Sequence, residues 1–217
     1  IPSPVSVSTS WKLRPSASLN VSASMFGLYG PVPFQVTSSA VAVAEAVSRG
    51  GLRKEDVEQI ILGNVLSAGV GQAPARQAGI YAGLPVSAGA LTINKMCGSG
   101  MRAVMMAADA LRTGDIDIAV AGGLESMTNA PYLLPKARSG YRMGHGEILD
   151  HMFYDGLQSP FDGQLMGCFA ENTAAKYGFT REQQDAFATE SVRRSLKAIE
   201  SGAFAAEIAP VTVKGRK

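Results

Sequence analysis

The segment Asn94–Ala103 reads Asn-Lys-Met-Cys-Gly-Ser-Gly-Met-Arg-Ala and joins an apolar strand candidate to a Met- and Ala-rich helix candidate. The pattern predicts the strand over Ala90–Lys95 and the helix over Met101–Leu111, with Gly114 closing the helix. Cys97 therefore falls where a strand ends and a helix begins. At such a corner, free backbone N–H groups and the positive end of the helix dipole favour a thiolate over a thiol.

The two glycines after Cys97 add to this picture. Gly98 and Gly100 carry no side chains beside the sulfur, so a substrate or another backbone can approach closely, as attack on a carbonyl requires. The position alone leaves a second interpretation open, because a lone cysteine is more often a small apolar residue of the core.

Strand and helix candidates alternate on both sides of this segment. Parallel strands need crossover connections of the observed length, so the alternation predicts an α/β fold with a parallel sheet covered by helices. The predicted helices and strands of this part are, in chain order, Val36–Ser48, Ile60–Leu62, Ala75–Ala82, Ala90–Lys95, Met101–Leu111 and Ile116–Ala121.

The alternation stops after Gly123. Residues 124–162 are rich in Met, Gly, Pro and aromatic residues without a clear period, which indicates an inserted loop region. Two helices are predicted to follow, at Met166–Tyr177 and Thr180–Ser201, and the Thr180-Arg-Glu-Gln183 opening has the form of a capping box. Ile208–Val213 is a last strand candidate.

The composition narrows the class of protein. A chain of 217 residues is long enough for one sizeable core, or for a core with a second subdomain. Its net charge of +2 gives no field that argues for nucleic acid, and no apolar stretch approaches the roughly 20 residues of a membrane span. We therefore expect neither nucleic acid nor a membrane as a partner.

The cysteines and the N-terminal segment bear on the compartment. Cys97 and Cys168 are too far apart for a CxxC pair and too few for a disulfide framework, which favours a reducing compartment such as the cytoplasm. The first 44 residues contain no Asp or Glu and resemble a transit peptide in composition, so a mitochondrial location is the alternative. Residues 1–25 are left unassigned.

A basic stretch lies in the predicted loop region. Residues 131–142 contain Lys136, Arg138 and Arg142 and no acid. Such a stretch can meet an anionic ligand such as the phosphates of a nucleotide, or it can be a solvated loop, and both interpretations stay open.

The motifs around Cys97 resemble those of one enzyme family. Asn94–Ala103 resembles the nucleophile segment of thiolases, and Val120-Ala-Gly-Gly-Leu-Glu-Ser-Met127 resembles the glycine-rich strand end that follows it. Gly63-Asn-Val-Leu66, together with Gly71-Gln-Ala-Pro-Ala-Arg-Gln77, is similar to a third segment that packs near the active site and the dimer interface.

The resemblance extends into the C-terminal part of the chain. Leu165-Met-Gly-Cys-Phe-Ala-Glu-Asn172 and Arg181-Glu-Gln-Gln-Asp-Ala-Phe187 resemble the loop domain that cradles coenzyme A. The resemblance covers about residues 50–217, and weakly from 26. It implies half of a thiolase core at residues 26–123 and an incomplete loop domain at 124–217, with the C-terminal half of the fold absent.

The resemblance also implies roles for single residues. Cys97 would be the nucleophile that carries the acyl group as a thioester, and Met166 and Leu157 would line the pantetheine channel. Met166 on a helix face can equally be core packing. Coenzyme A thioesters would be substrates, with no tightly bound cofactor and no metal.

The implied reaction needs groups that this sequence does not contain. Thiolases take a base, a second cysteine and an oxyanion hole from Gly-His-Pro, Cys-x-Gly-Gly and Asn-Glu-Ala-Phe segments, none of which occurs here. We therefore expect no condensation activity from the 217 residues alone. His145 and His151 are interpreted as surface or loop histidines, and Cys168 as structural.

Three functions remain in competition. The first is condensation of two acetyl-CoA into acetoacetyl-CoA and coenzyme A, and the second is the degradative 3-ketoacyl-CoA thiolase reaction of β-oxidation. The third is a catalytically incomplete fragment that binds acyl-CoA. Leu165 replaces a histidine found in many acetoacetyl-forming members, which leaves the chain-length preference open. The resemblance implies a homodimer or homotetramer, with residues 132–142 resembling the segment that joins dimers into tetramers.

Overall fold

The structure is a computed structural model. It describes residues 33–212 and, as backbone only, three short strands at residues 5–6, 12–14 and 17–19.

The described residues form nine strands and five α-helices, and most of the helices alternate with strands along the chain. In chain order they are β1 (Val5–Ser6), β2 (Lys12–Arg14), β3 (Ala17–Leu19), α1 (Phe34–Arg49), β4 (Gln59–Gly63), α2 (Pro74–Ala82), β5 (Gly89–Ile93), α3 (Ser99–Thr113), β6 (Ile118–Gly123), β7 (Tyr132–Leu133), β8 (Leu149–Asp150), α4 (Met166–Tyr177), α5 (Arg181–Glu200) and β9 (Ile208–Ala209). Two 3₁₀ turns, at Lys54–Asp56 and Met127–Asn129, and a π-helical turn at Met152–Leu157 complete the set.

The central sheet has five strands in the order β2-β3-β6-β4-β5. β3, β6, β4 and β5 run parallel, and β2 is antiparallel at one edge. Ile61 of β4 stands opposite Ala121 of β6 and Leu91 of β5, so β4 lies inside the sheet and β5 at the other edge. Residues 12–14 and 17–19, from the segment that the sequence left unassigned, form β2 and β3.

Helices cover both faces of this sheet. Alternate residues of β4 point to opposite sides, as strand geometry requires: Ile60 packs with Val43 of α1 and Ala78 of α2, and Ile61 packs with Ala103 of α3. The result is a three-layer arrangement with α1 and α2 on one side and α3 on the other. The predicted α/β fold with a parallel sheet is confirmed.

The predicted elements are found within a few residues of their predicted ends. α3 begins at Ser99, two residues before the predicted start, and β5 ends at Ile93, two residues before the predicted end. The predicted last strand is shorter than expected: β9 covers Ile208–Ala209 and pairs antiparallel with β1. Residue 213, its predicted end, lies outside the described residues.

The C-terminal helices differ from the sheet-covering helices in burial. α4 and α5 contain no buried residue, and Phe187 of α5 is 81% exposed. The predicted capping box is present, since Thr180 accepts from the Gln183 N–H and Gln183 Oε1 accepts from the Thr180 N–H. These two helices are therefore stabilised by local interactions and present apolar side chains to their surroundings. The domain boundaries at residues 26 and 124 stay predictions.

The first turn of α3 lies directly against the carboxyl ends of two strands. A Cβ atom added at Gly63, the last residue of β4, would lie 2.6 Å from the Ser99 carbonyl carbon and 2.7 Å from the Gly100 nitrogen. At Gly123, the last residue of β6, an added Cβ would lie 3.5 Å from the Gly100 Cα. At Gly63 the backbones meet at this distance only because the position carries no side chain, whereas at Gly123 an added Cβ would make an ordinary contact.

Gly63→Ala should destabilise the fold by about 1–3 kcal/mol, because the added methyl group meets backbone atoms that cannot move away by changing a rotamer. Gly167→Ala is the matched control, since a Cβ at Gly167 in the first turn of α4 meets nothing within 4 Å. Urea unfolding followed by circular dichroism measures both. Equal midpoints for the two variants would contradict the close approach at Gly63.

Candidate active site around Cys97

Cys97 lies in the short link between β5 and α3. Gly98 is the N-cap residue of α3, so Cys97 immediately precedes the cap, and its side chain is exposed. The sulfur is therefore not packed among aliphatic side chains of the core, which was the competing interpretation of a lone cysteine. The predicted position at a strand-to-helix corner is confirmed.

Two side chains hold this corner in shape. Ser99 is buried, and its Oγ accepts from the Lys95 N–H at 2.8 Å and donates to the Met96 carbonyl at 2.6 Å. Asn94 Oδ1 accepts from the Met96 N–H at 2.9 Å. Met96 has a φ of 49°, in the left-handed region. This conformation is unfavourable for a residue with a side chain and persists only where the surroundings hold it in place. The bonds on both sides of Met96 supply that constraint and fix the direction of the next residue, Cys97.

The backbone N–H groups at the corner are partly used by the turn itself. The Gly98 N–H donates to the Lys95 carbonyl and the Ser99 N–H donates to the Met96 carbonyl, at 3.1 and 3.0 Å. These two groups are therefore not free to face the sulfur, in contrast to the expectation from the sequence. Gly100 also differs from that expectation: a Cβ there would lie 3.6 Å from the Gly122 carbonyl oxygen, so its open side faces the sheet.

Cys97 opens into a cavity of about 400 Å³. Four glycines, Ser99 and Glu125 contribute to the lining, and the remaining side chains are apolar. The apolar residues are Val65, Leu66, Met96, Leu124, Met127, Met152 and Leu157. A cavity of this size and character suits a small, largely hydrocarbon ligand, and Cys97 contributes to its wall.

The structure brings together two of the three residues predicted for the site. Leu157, the last residue of the π-helical turn, lines the same cavity as Cys97. Met166 does not line it: this residue begins α4, and its side chain is 47% exposed. Met166 is therefore not a core residue either, and its role in binding stays a prediction.

His151 is interpreted from the sequence as a surface or loop histidine, and the expected exposure is wrong. His151 is 4% exposed, its Nδ1 lies 2.5 Å from Asp155 Oδ2, and its Nε2 accepts from the Ala68 N–H at 3.2 Å. No local pattern indicates this burial, because Ala68 lies 83 residues earlier in the chain. His151 is a buried link between two loops.

His145 and Cys168 lie away from the cysteine cavity. His145 is exposed and lines a separate cavity of about 470 Å³ beside Lys136 and Arg142 of the basic stretch. Cys168 is exposed in the first turn of α4. The proximity of three basic residues fits either interpretation of the stretch, as an anion site or as a solvated loop.

Glu125 is a site residue that the sequence analysis did not single out. Its Oε2 accepts from the Val65 N–H at 2.9 Å, and its Oε1 accepts from the Leu66 N–H at 3.0 Å and from Asn64 Nδ2 at 2.8 Å. A signal was available, since an acid two residues after a strand that ends in two glycines stands near the carboxyl edge of the sheet, where sites form.

Few ionisable groups face the cavity. Cys97 and Glu125 are the ionisable residues in the described lining, and no histidine is among them. Within residues 33–212, no group of His, Cys, Asp and Glu side chains is placed to hold a metal ion. The described helices include none that is long and apolar enough to cross a membrane.

Comparison with known proteins defines the class. Residues 35–217 match the family described as thiolase, N-terminal domain. The chain belongs to the thiolase family.

Particular members give a closer comparison. The chain is 51% identical over 178 residues to an acetyl-CoA acetyltransferase of Pseudomonas aeruginosa, and 49% identical over 179 residues to one of Escherichia coli K12. Each alignment covers 82% of this chain and 45% of the relative. The solved structure of Acat5 thiolase from Ascaris suum in complex with coenzyme A superposes with a TM-score of 0.80 at 40% identity, over 90% of this chain and 50% of that one. The chain thus spans about half the length of the relatives it matches.

The cavity should give Cys97 a preference for reagents with an apolar tail. We expect N-hexyl iodoacetamide to react with Cys97 faster, relative to iodoacetamide, than it does with Cys168, which is exposed and does not line this cavity. Burial of about two methylene groups, at about 0.8 kcal/mol each, predicts a preference of about tenfold. Peptide mass mapping of both cysteines measures it, and equal ratios at the two sites would contradict an accessible apolar cavity.

Proposed function

We propose that this chain supplies the nucleophile of an acyltransferase that condenses two acetyl-CoA into acetoacetyl-CoA and coenzyme A, in a reversible reaction. The observation that carries the proposal is the placement of Cys97, exposed at a constrained strand-to-helix corner and opening into an apolar cavity. Membership of the thiolase family and the relatives named acetyl-CoA acetyltransferase give further support.

The reaction divides into two transfers through Cys97. The thiolate attacks the carbonyl carbon of acetyl-CoA, and the coenzyme A thiolate leaves and takes up a proton, which yields an acetyl thioester on the enzyme. A second acetyl-CoA then loses a proton from its methyl group to a base, a group that the described cavity lining does not supply as a histidine. The resulting carbanion attacks the thioester carbonyl and releases the Cys97 sulfur. Covalent capture replaces one difficult condensation with two easier steps.

The apolar lining supports a thioester of coenzyme A as the substrate. Leu157 is proposed to contact the pantetheine arm, because it shares the cavity with the sulfur of Cys97. Met166 is proposed to contact the same arm further from the sulfur, where its exposed side chain is available. No tightly bound cofactor takes part in the proposed reaction.

Two alternatives have specific support. A relative of Staphylococcus aureus named probable acetyl-CoA acyltransferase is 42% identical over 178 residues, which keeps the degradative 3-ketoacyl-CoA thiolase in competition. The described cavity lining contains no histidine that could act as a base, which favours the second alternative, a catalytically incomplete chain that binds acyl-CoA.

Brief exposure to acetyl-CoA should leave an acetyl group, about 42 Da, on the tryptic peptide that contains Cys97 and none on the peptide that contains Cys168. Cys97→Ser is the matched control and should retain no thioester. Mass spectrometry of the digested protein makes the measurement. Acetyl mass on Cys168 instead would overturn the assignment of the nucleophile. Binding of acetyl-CoA without acetylation would favour the incomplete chain, and steady turnover of acetyl-CoA would exclude it.

We also propose that two copies of the chain associate through β5. This strand is at the edge of the sheet, and Leu91 is exposed there. An uncovered edge strand offers unpaired backbone groups to another strand, and a two-fold axis would let two β5 strands pair in antiparallel fashion.

The two free cysteines are compatible with a reducing compartment, and we place the protein in the cytoplasm, with the mitochondrion as the alternative.

Leu91→Lys should shift the chain from dimer to monomer, because a charge on an edge strand opposes pairing with a second strand. Val86→Lys is the control, since Val86 is 80% exposed in the loop before β5 and outside the strand. Sedimentation velocity at micromolar concentration distinguishes the two states. A monomeric parent chain, or a Leu91→Lys variant that stays dimeric, would contradict pairing through β5.

A further inference from the structure

We propose that Glu125 and His151 are positioning residues that hold residues 64–68 as one wall of the Cys97 cavity, and so determine how well the apolar part of a ligand fits beside the sulfur. The inference rests on the proposed function for the nature of that ligand, an acyl thioester. Neither residue is assigned a part in the acyl transfer itself.

Residues 64–68, which we term the wall segment, follow β4 directly and supply two apolar side chains to the cavity, Val65 and Leu66. Leu66 also faces the π-helical turn: an added Cβ at Gly156 would lie 3.1 Å from Leu66 Cδ2. The wall segment therefore separates the end of the strand from the turn that carries Leu157. A shift of this segment would change the width of the cavity.

Glu125 holds the first half of the wall segment. Both of its carboxylate oxygens are used: Oε2 accepts from the Val65 N–H, and Oε1 accepts from the Leu66 N–H and from the Asn64 side-chain amide. The ion pairs found among residues 33–212 do not include Glu125. Its charge is thus met by N–H donors of the wall segment, and hydrogen bonds to a charged acceptor are among the stronger ones in proteins.

Asn64 completes this end of the wall. Its Nδ2 donates to the Leu124 carbonyl as well as to Glu125, and its backbone N–H donates to the Ile93 carbonyl of β5. The residue is 2% exposed, and its bond to the Leu124 carbonyl lies out of solvent. The start of the wall segment is tied to the ends of β5 and β6 together.

His151 holds the other end of the wall segment. Its Nε2 accepts a hydrogen bond from the Ala68 N–H. The ring proton is therefore on Nδ1, which donates a hydrogen bond to Asp155. Asp155 belongs to the π-helical turn, and its bond fixes the orientation of the imidazole ring. The wall segment is in this way joined to the π-helical turn, which also lines the cavity.

Three of the backbone N–H groups in the wall segment therefore depend on two side chains from distant parts of the chain. Val65, Leu66 and Ala68 donate to Glu125 or His151, not to a neighbouring strand. Loss of either acceptor leaves N–H groups without a partner and releases the wall on one side. A displacement of about 1 Å in such a support can lower a rate by about a hundredfold.

The test compares tail-bearing and small reagents on the full chain. Glu125→Gln keeps Oε1 as an acceptor for Leu66 but places an NH₂ group against the Val65 N–H. His151→Gln removes the ring that accepts from Ala68. Glu147→Gln is the matched control, because Glu147 is exposed and its carboxylate takes part in no hydrogen bond or ion pair found among the described residues. Each protein is treated with N-hexyl iodoacetamide and with iodoacetamide, and Cys97 is compared with Cys168 in the same digest.

In Glu125→Gln and His151→Gln we expect the preference of Cys97 for the hexyl reagent to fall about tenfold, while its rate with iodoacetamide stays within about twofold of the parent. Glu147→Gln should keep the parent preference. An unchanged preference in Glu125→Gln would overturn the proposal. So would an equal loss of both rates together with a lower unfolding midpoint, because that result describes a purely structural residue.

The design separates this inference from the proposed function. Alkylation needs no thioester chemistry. If acetyl-CoA leaves no acetyl group on the chain, acyl transfer is refuted, and the alkylation rates still test the role of the wall segment. Glu125 is exposed and Glu125→Gln preserves its shape, so this variant decides the outcome if the buried His151 variant fails to fold.

Discussion

The fold depends on the close approach of one helix to the ends of two strands. The first turn of α3 lies against Gly63 of β4 and Gly123 of β6 at distances that leave no room for a side chain at Gly63. This contact sets the height of α3 on the sheet. Because Cys97 immediately precedes the helix cap, the same contact places the sulfur at the carboxyl edge of the parallel strands. Sites of α/β proteins form at that edge, and here the cavity is bounded by the same glycines.

Much of the fold could be predicted from the sequence because the relevant signals are local. Apolar runs of strand length, an alternation with helical segments, and glycine or proline at their ends gave the order of elements and the position of Cys97. The capping box at Thr180 and Gln183 could be predicted for the same reason, since both partners lie within four residues.

The contacts that complete the site could not be predicted, because they join distant parts of the chain. The bonds from Glu125 span about 60 residues and the bond from His151 to Ala68 spans 83. The neighbourhood of His151 in the sequence is a loop, which favoured exposure, yet tertiary contacts bury it. The resemblance to thiolases gave Leu157 and Met166 a common role, and only the fold separates their positions. The exposed apolar side chains of α4 and α5 are likewise covered by no other element among the described residues. The relatives are about twice as long as this chain.

The left-handed backbone of Met96 puts two demands on one residue. Glycine adopts that conformation without steric strain, so backbone strain alone would favour glycine at this position. Glycine would also remove a thioether from the cavity, next to the nucleophile candidate. Methionine at this position therefore costs some stability relative to glycine and provides an adaptable, polarisable surface beside the sulfur.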